Sequence, residues 1–143
     1  MKKGFSLIEL MVVIVIMGVI SAVAVPKIFG VVAKSKASEV PVAAGAWTRS
    51  LDAYVIANNK LGSWSDIGYE APASKVFVYT ETESTEIWVA NPQKDLGDCS
   101  PSMSWTLSPL VDDMNVSYTA AGDGECVDLT PSWVNLNRTS KSP

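Results

Sequence analysis

One carboxylate stands where carboxylates are rarely found. Glu9 lies inside residues 5–25, FSLIELMVVIVIMGVISAVAV, whose only other polar side chains are Ser6 and Ser21. An ionised carboxylate in an apolar run costs a few kcal/mol or more once the run enters a bilayer, so it needs a partner. The other residues with chemical potential are fewer than a catalytic site requires. The chain has no His, which removes the usual general base and the commonest metal ligand. Cys99 and Cys126 are too few for a zinc site without imidazole help. No Ser, Thr or Cys has a basic neighbour at an activating spacing, and no glycine-rich phosphate loop occurs. Asp112, Asp113, Asp123, Glu125 and Asp128 lack calcium-loop spacing and read as solvated loop acids. Trp64, Trp88, Trp105 and Trp133 suggest a sugar-stacking surface or a core. Alternation puts Trp105 on a core face, so core packing is expected. No enzyme activity, cofactor or metal is expected.

The elements that position Glu9 follow from the hydropathy pattern. A helix of 21 residues spans about 31 Å, the thickness of a bilayer's hydrocarbon. Lys2 and Lys3 precede it and favour an N-terminus held in the cytoplasm. Ala22-Val23-Ala24 has the small-x-small form of a secretory cleavage site, but a removable signal has no use for Glu9. Beyond Pro26, Lys27, Lys34 and Lys36 form a basic collar. Val40, Ala44, Trp47, Leu51 and Tyr54 then step by four and three, one apolar helical face that fits a sheet. Asn58-Asn59-Lys60-Leu61-Gly62 supplies a stop. The expected helix covers residues 5–58, about 80 Å, with bends at Pro26 and Pro41.

A connecting loop at 59–75 leads to a small head at 76–143. Strands are expected at 76–80 and 86–90, joined by a polar turn. The alternations Met103/Trp105/Leu107 and Met114/Val116/Tyr118 mark two more. Ser108-Pro109 reads as punctuation, 126–129 and 133–136 as short final strands, and 138–143 as a mobile tail. From residue 60 on, five Lys/Arg face twelve Asp/Glu. So acidic a head is a poor nucleic-acid binder, because phosphate neutralisation needs cationic clusters.

Gly4-Phe5-Ser6-Leu7-Ile8-Glu9 followed by the charge-free run resembles the leader of type IV pilins and of type II secretion pseudopilins. The resemblance is clear over the first third of the chain and architectural beyond it. It implies an α+β pilin-like fold: one long N-terminal helix, with residues 5–25 spanning the membrane or lining a filament core, packed on an antiparallel sheet. It implies a leader of residues 1–4, removed by a prepilin peptidase between Gly4 and Phe5, and N-methylation of Phe5. Glu9 would pair with the α-amine of a neighbouring subunit and fix axial register. Pairing with its own chain's amine one turn away, or snorkelling to the interface, are the alternatives. Gly18 and Pro26 match positions where the family places a glycine and a helix-bending proline, and imply helix flexibility.

The resemblance further implies that the chain's partners are itself, as a helical homopolymer, the prepilin peptidase, the pilus assembly machinery and the inner membrane. The precursor would reside in a bacterial inner membrane and the mature chain in a surface filament serving motility or adhesion. Asn115-Val116-Ser117 and Asn137-Arg138-Thr139 match the glycosylation sequon, but the bacterial leader makes both read as chance. In an exported head, Cys99 and Cys126 are expected to pair, closing a loop of about 28 residues worth ~3.5 kcal/mol. Pilins commonly carry a disulfide bordering a C-terminal region. Pseudopilins typically lack one and often use calcium, so the cysteine pair favours a pilin. The alternatives are a major pseudopilin of type II secretion and a soluble secreted binding module cut after Ala24.

Overall fold

The computed structural model describes residues 4–82 and 86–140. Lys2, Lys3, the centre of the expected turn at 83–85 and the last three residues lie outside this description. The chain divides into two units, residues 1–32 and 33–143.

From Leu7 on, the first unit is helix. Helix α1, Leu7–Ala37, supplies it, and every described side chain before Ala33 is exposed except half-buried Ala24. This exposed helix is long and apolar enough to cross a membrane. Pro26 lies inside α1 without interrupting its helical assignment.

The second unit begins with the last turn of α1 and helix α2, Glu39–Asn58. The break between the helices falls at Ser38, not at Pro41 as the sequence suggested. The Ser38 hydroxyl donates to the Ser35 carbonyl at 2.7 Å. Restarting at Glu39 puts Pro41 in the first turn of α2, where a missing N–H leaves no intrahelical bond unmade. The buried face of α2 is Val40, Ala43, Ala44, Trp47, Thr48, Leu51 and Val55. Val55, not Tyr54, takes the last inward position. Tyr54 is half-buried and covers Gly62, where a Cβ would come within 2.6 Å of the Tyr54 ring. Asn59 closes α2 in the left-handed region with φ 51°.

Five antiparallel strands form one sheet in sequence order: β1 Phe77–Thr82, β2 Ile87–Pro92, β3 Trp105–Asp112, β4 Asn115–Gly122 and β5 Arg138–Ser140. Register pairs Tyr79 with Ala90, Trp88 with Leu107, Ala90 with Trp105, and Pro109 with Tyr118. These residues share one face, and all are buried. The period-2 pattern therefore builds the wall that α2 packs against.

Three expectations fail here. Pro109 continues β3 instead of ending it. Ala120, of the same parity on β4, turns its N–H away from β3 to Asn137 Oδ1 at 2.6 Å. Pro109's nitrogen by the same parity faces β2, whose pairing with β3 ends at Leu107, so no ladder bond is lost. Segments 126–129 and 133–136 are not strands: Cys126 and Val127 end helix α3, Gly124–Val127, with a turn after them, and 133–136 lies in a 3-10 helix, Pro131–Leu136. Arg138–Ser140 is not a loose tail but the edge strand β5, paired with Val116, Ser117 and Tyr118.

Candidate assembly site

Residues 4–6 precede the helix in no regular structure and are exposed, with Phe5 84% accessible. The Gly4–Phe5 bond thus lies in exposed, non-helical chain. Ser6 is the N-cap of α1 and Glu9 its third residue. The Ser6 N–H donates to Glu9 Oε2 at 2.8 Å, and the Glu9 N–H donates to the Ser6 carbonyl at 3.1 Å. This is the carboxylate half of a capping box, Ser-x-x-Glu. It places the carboxylate at the positive end of the helix dipole. Glu9 therefore has a partner within its own chain. Sequence reading weighed an amine partner and missed this one, although the four-residue signature was present. A carboxylate can accept about four bonds and this contact uses one, so capacity for an incoming amine remains.

Gly18 has no neighbouring atom within 4 Å of where a Cβ would stand, so the packing of a single chain does not require glycine there. Cys99 and Cys126 form a disulfide, and both are fully buried. It ties the segment between β2 and β3 to α3. Among the described residues no group of three His, Cys, Asp or Glu stands close enough to hold a metal ion. Asp123, one of the loop acids, accepts the Ser104 N–H at 2.7 Å. Trp88, Trp105 and Trp133 are buried core residues. The indole N–H of Trp105 donates to Thr130 Oγ1, and that of Trp133 to the Ala121 carbonyl, both at 2.9 Å.

Polar bonds that the sequence did not reveal hold α2 to the sheet. Tyr79 Oη donates to Glu39 Oε1 at 2.9 Å. Tyr118 Oη donates to Asp52 Oδ1 at 2.5 Å and lies 3.1 Å from the Thr48 carbonyl. Arg138 Nη2 reaches Thr48 Oγ1 at 3.1 Å and Asp52 Oδ2 at 3.4 Å, with the guanidinium over the Tyr118 ring. Burial, followed by the adjoining carboxylate, pushes the phenol of each of these two tyrosines far above its usual range. Their contact is with the ends of the side chains, so no spacing rule announces it.

Residues 1–25 match the family model for the prokaryotic N-terminal methylation motif. The chain is 34% identical over 62 residues to a type IV major fimbrial protein FimA of Dichelobacter nodosus, covering 43% of this chain and 40% of that one. Another FimA of the same organism is 33% identical over 69 residues, covering 48% and 44%. Over its N-terminal part the chain is similar to type IV pilins. The matched part spans about two fifths of the length of those FimA proteins. The architecture matches a pilin-like α+β fold: an apolar N-terminal helix, an antiparallel sheet and a disulfide near the C-terminus.

Proposed function

We propose that this chain is the structural subunit of a type IV pilus, working in motility or adhesion. It is made as an inner-membrane precursor and cut by a prepilin peptidase between Gly4 and Phe5. The new Phe5 amine is methylated, and the assembly machinery adds the subunit to a helical surface filament. The observation that carries this reading is the first helix. Its apolar surface is exposed over residues 7–32 except at half-buried Ala24, with a single carboxylate in its first turn. Such a surface suits a bilayer first and other copies of the same helix afterwards. Glu9, already anchored on Ser6, would receive a neighbour's Phe5 amine and set register more than strength, because desolvation offsets much of the Coulomb gain. Gly18 and Pro26 would let this helix flex during assembly. The second reading is a major pseudopilin of type II secretion, which shares the N-terminal motif. The Cys99–Cys126 bond and the fimbrial relatives favour the pilus.

The test is Glu9→Ala beside the intact mass of the mature chain. The mature chain should begin at Phe5 and carry one methyl group; a start at Val25 would overturn the reading. Glu9→Ala should leave insertion and cleavage intact and lower the yield of sheared filaments at least tenfold relative to the processed membrane pool. Wild-type yield from Glu9→Ala would remove the inter-subunit pairing.

A further inference from the structure

Helix α2 has three charged side chains, Glu39, Arg49 and Asp52. Glu39 and Asp52 are engaged by Tyr79 and Tyr118 of the sheet. The outward stripe is Val42, Ala46, Arg49, Ala53 and Ile56, all exposed, with Val42 at 74%. A helix face meant only for water carries charges along its length. This one is apolar with a single arginine at its middle, the composition of an interface centre, where arginine is enriched and lysine and glutamate are depleted.

The chain contains only two arginines, and both line one cleft of about 280 Å³ walled by Pro41, Gly45 and Leu136. Arg138 is held by Thr48, Asp52 and the Tyr118 ring, and its Nε and Nη1 make no hydrogen bond among the described residues. Arg49 makes none either. Guanidinium forks bind carboxylates in bidentate fashion. The cleft therefore calls for a partner that brings carboxylates and apolar contact together.

We propose that the Arg49/Arg138 cleft receives the β3–β4 hairpin tip of a second copy of this chain. That tip carries two adjacent exposed carboxylates, Asp112 and Asp113, beside exposed Leu110 and Met114. It is held in one shape. Asp113 and Met114 sit at φ 47° and 62°. Asn115 Nδ2 donates to the carbonyls of Asp112 and Asp113 at 3.2 and 3.0 Å. The Met114 N–H donates to Asn59 Oδ1 at 2.8 Å, which fixes the tip at the far end of α2. Arg49 is ten positions from Asn59, about 15 Å along the helix. Cleft and tip are thus separate patches of one head. Their contact is heterologous, and repeated without closure it generates an open helical array instead of a dimer. This inference rests on the filament reading and names the surfaces through which heads meet.

The test uses the full chain expressed with its assembly machinery. Arg49→Glu and Asp113→Lys should each lower the yield of sheared filaments at least tenfold, with the processed membrane pool unchanged. The combination Arg49→Glu/Asp113→Lys should restore the yield to within threefold of wild type. Arg49→Cys with Asp113→Cys should give a reducible oligomer ladder in filaments, and neither single variant should. Wild-type filament yield from both Arg49→Glu and Asp113→Lys, or no ladder from the double-cysteine variant, would overturn the inference and leave the pilus standing. Absence of filaments from the wild-type chain would remove both.

Discussion

Tyr118→Phe isolates one hydroxyl without opening a cavity. The ring remains edge-on to Trp47 at 6.0 Å and under the Arg138 guanidinium. What is lost is the bond to Asp52 Oδ1 and the contact with the Thr48 carbonyl. A hydrogen bond to a charged acceptor contributes about 1.5–3 kcal/mol. The Asp52 side chain is 17% exposed, so water replaces the hydroxyl only in part, and Asp52 keeps Arg138. The expected cost is about 2 kcal/mol, or about 8 °C in Tm for a unit of this size. Arg138→Ala should cost less, about 1 kcal/mol. Its ion pair is 3.4 Å long with the arginine 44% exposed, and exposed pairs contribute about 0.2–1 kcal/mol. The assay is thermal unfolding of the full chain in detergent, followed by near-ultraviolet circular dichroism. A Tyr118→Phe variant within 0.5 kcal/mol of wild type (a threshold taken well below the 1.5 kcal/mol lower bound), or an Arg138→Ala variant that costs more than it, would refute this ordering.

Replacing Cys99 and Cys126 together by Ser should lower stability by ~3.5 kcal/mol through the lost constraint on a chain loop of about 28 residues. In the wild-type protein an alkylating agent without reductant should label neither cysteine, and a loss below ~1 kcal/mol would contradict the staple. Glu81 lies on the core-facing side of β1 opposite Trp88, and both its oxygens accept the Trp64 N–H at 3.1 and 3.0 Å. Burial first, then the charges of Glu86 and Asp66, raise its carboxyl above the ordinary 4.5 against the lowering by Trp64. Its charge therefore opposes folding at neutral pH, and the protonated form favours folding as pH falls through the raised value. Glu81→Gln, which keeps an acceptor for Trp64, should match or exceed wild-type stability at neutral pH and lose that advantage below about pH 4.5. Urea midpoints at the two pH values check it, and a variant weaker than wild type at neutral pH would show that the charge supports the loop.

What the sequence made legible was pattern along the chain. The buried stripe on α2 and the alternating strands repeat every 3.6 or 2 residues, and their burial follows from that repeat, while the exposed helix was legible as an unbroken apolar run of bilayer length. The misses were places where one bond or one direction decides. Pro109 reads as a strand end because proline removes a donor, yet parity can point that missing donor away from the neighbouring strand. Segments 126–129 and 133–136 look strand-like because Val and Trp favour strands. The buried disulfide and the bonds to Thr130 and Ala121 hold them in short helices and a turn instead. Arg138 looks like a tail residue because no apolar neighbour anchors it, and its anchors are Thr48, Asp52 and Tyr118, some ninety to twenty positions away. At the assembly site the membrane cost of Glu9 dominated the reading, and it hid the cap one turn back at Ser6.

The cap changes what Glu9 is asked to do. A carboxylate with no partner would be driven toward any cation, and its pairing would then carry a large share of subunit affinity. A carboxylate already bound to Ser6 and lying in the positive field of a helix terminus is less costly before assembly. Its bond to an incoming amine therefore adds less free energy and serves mainly to select one axial position. Affinity must come from elsewhere, and the exposed side chains of residues 7–32 are the available source, because burial stabilises in proportion to apolar area. Arg49 and the Asp112–Asp113 tip follow the same division in the proposed head contact. The apolar stripe from Val42 to Ile56 supplies area, and the charges reject misaligned neighbours. On this account Glu9→Gln is the informative companion to Glu9→Ala. It keeps an acceptor for Ser6 and loses the charge, so it should preserve the helix start while filament yield falls toward that of Glu9→Ala. A Gln variant that assembles like wild type would mean that the cap, not the inter-subunit charge pair, is what assembly needs from this position.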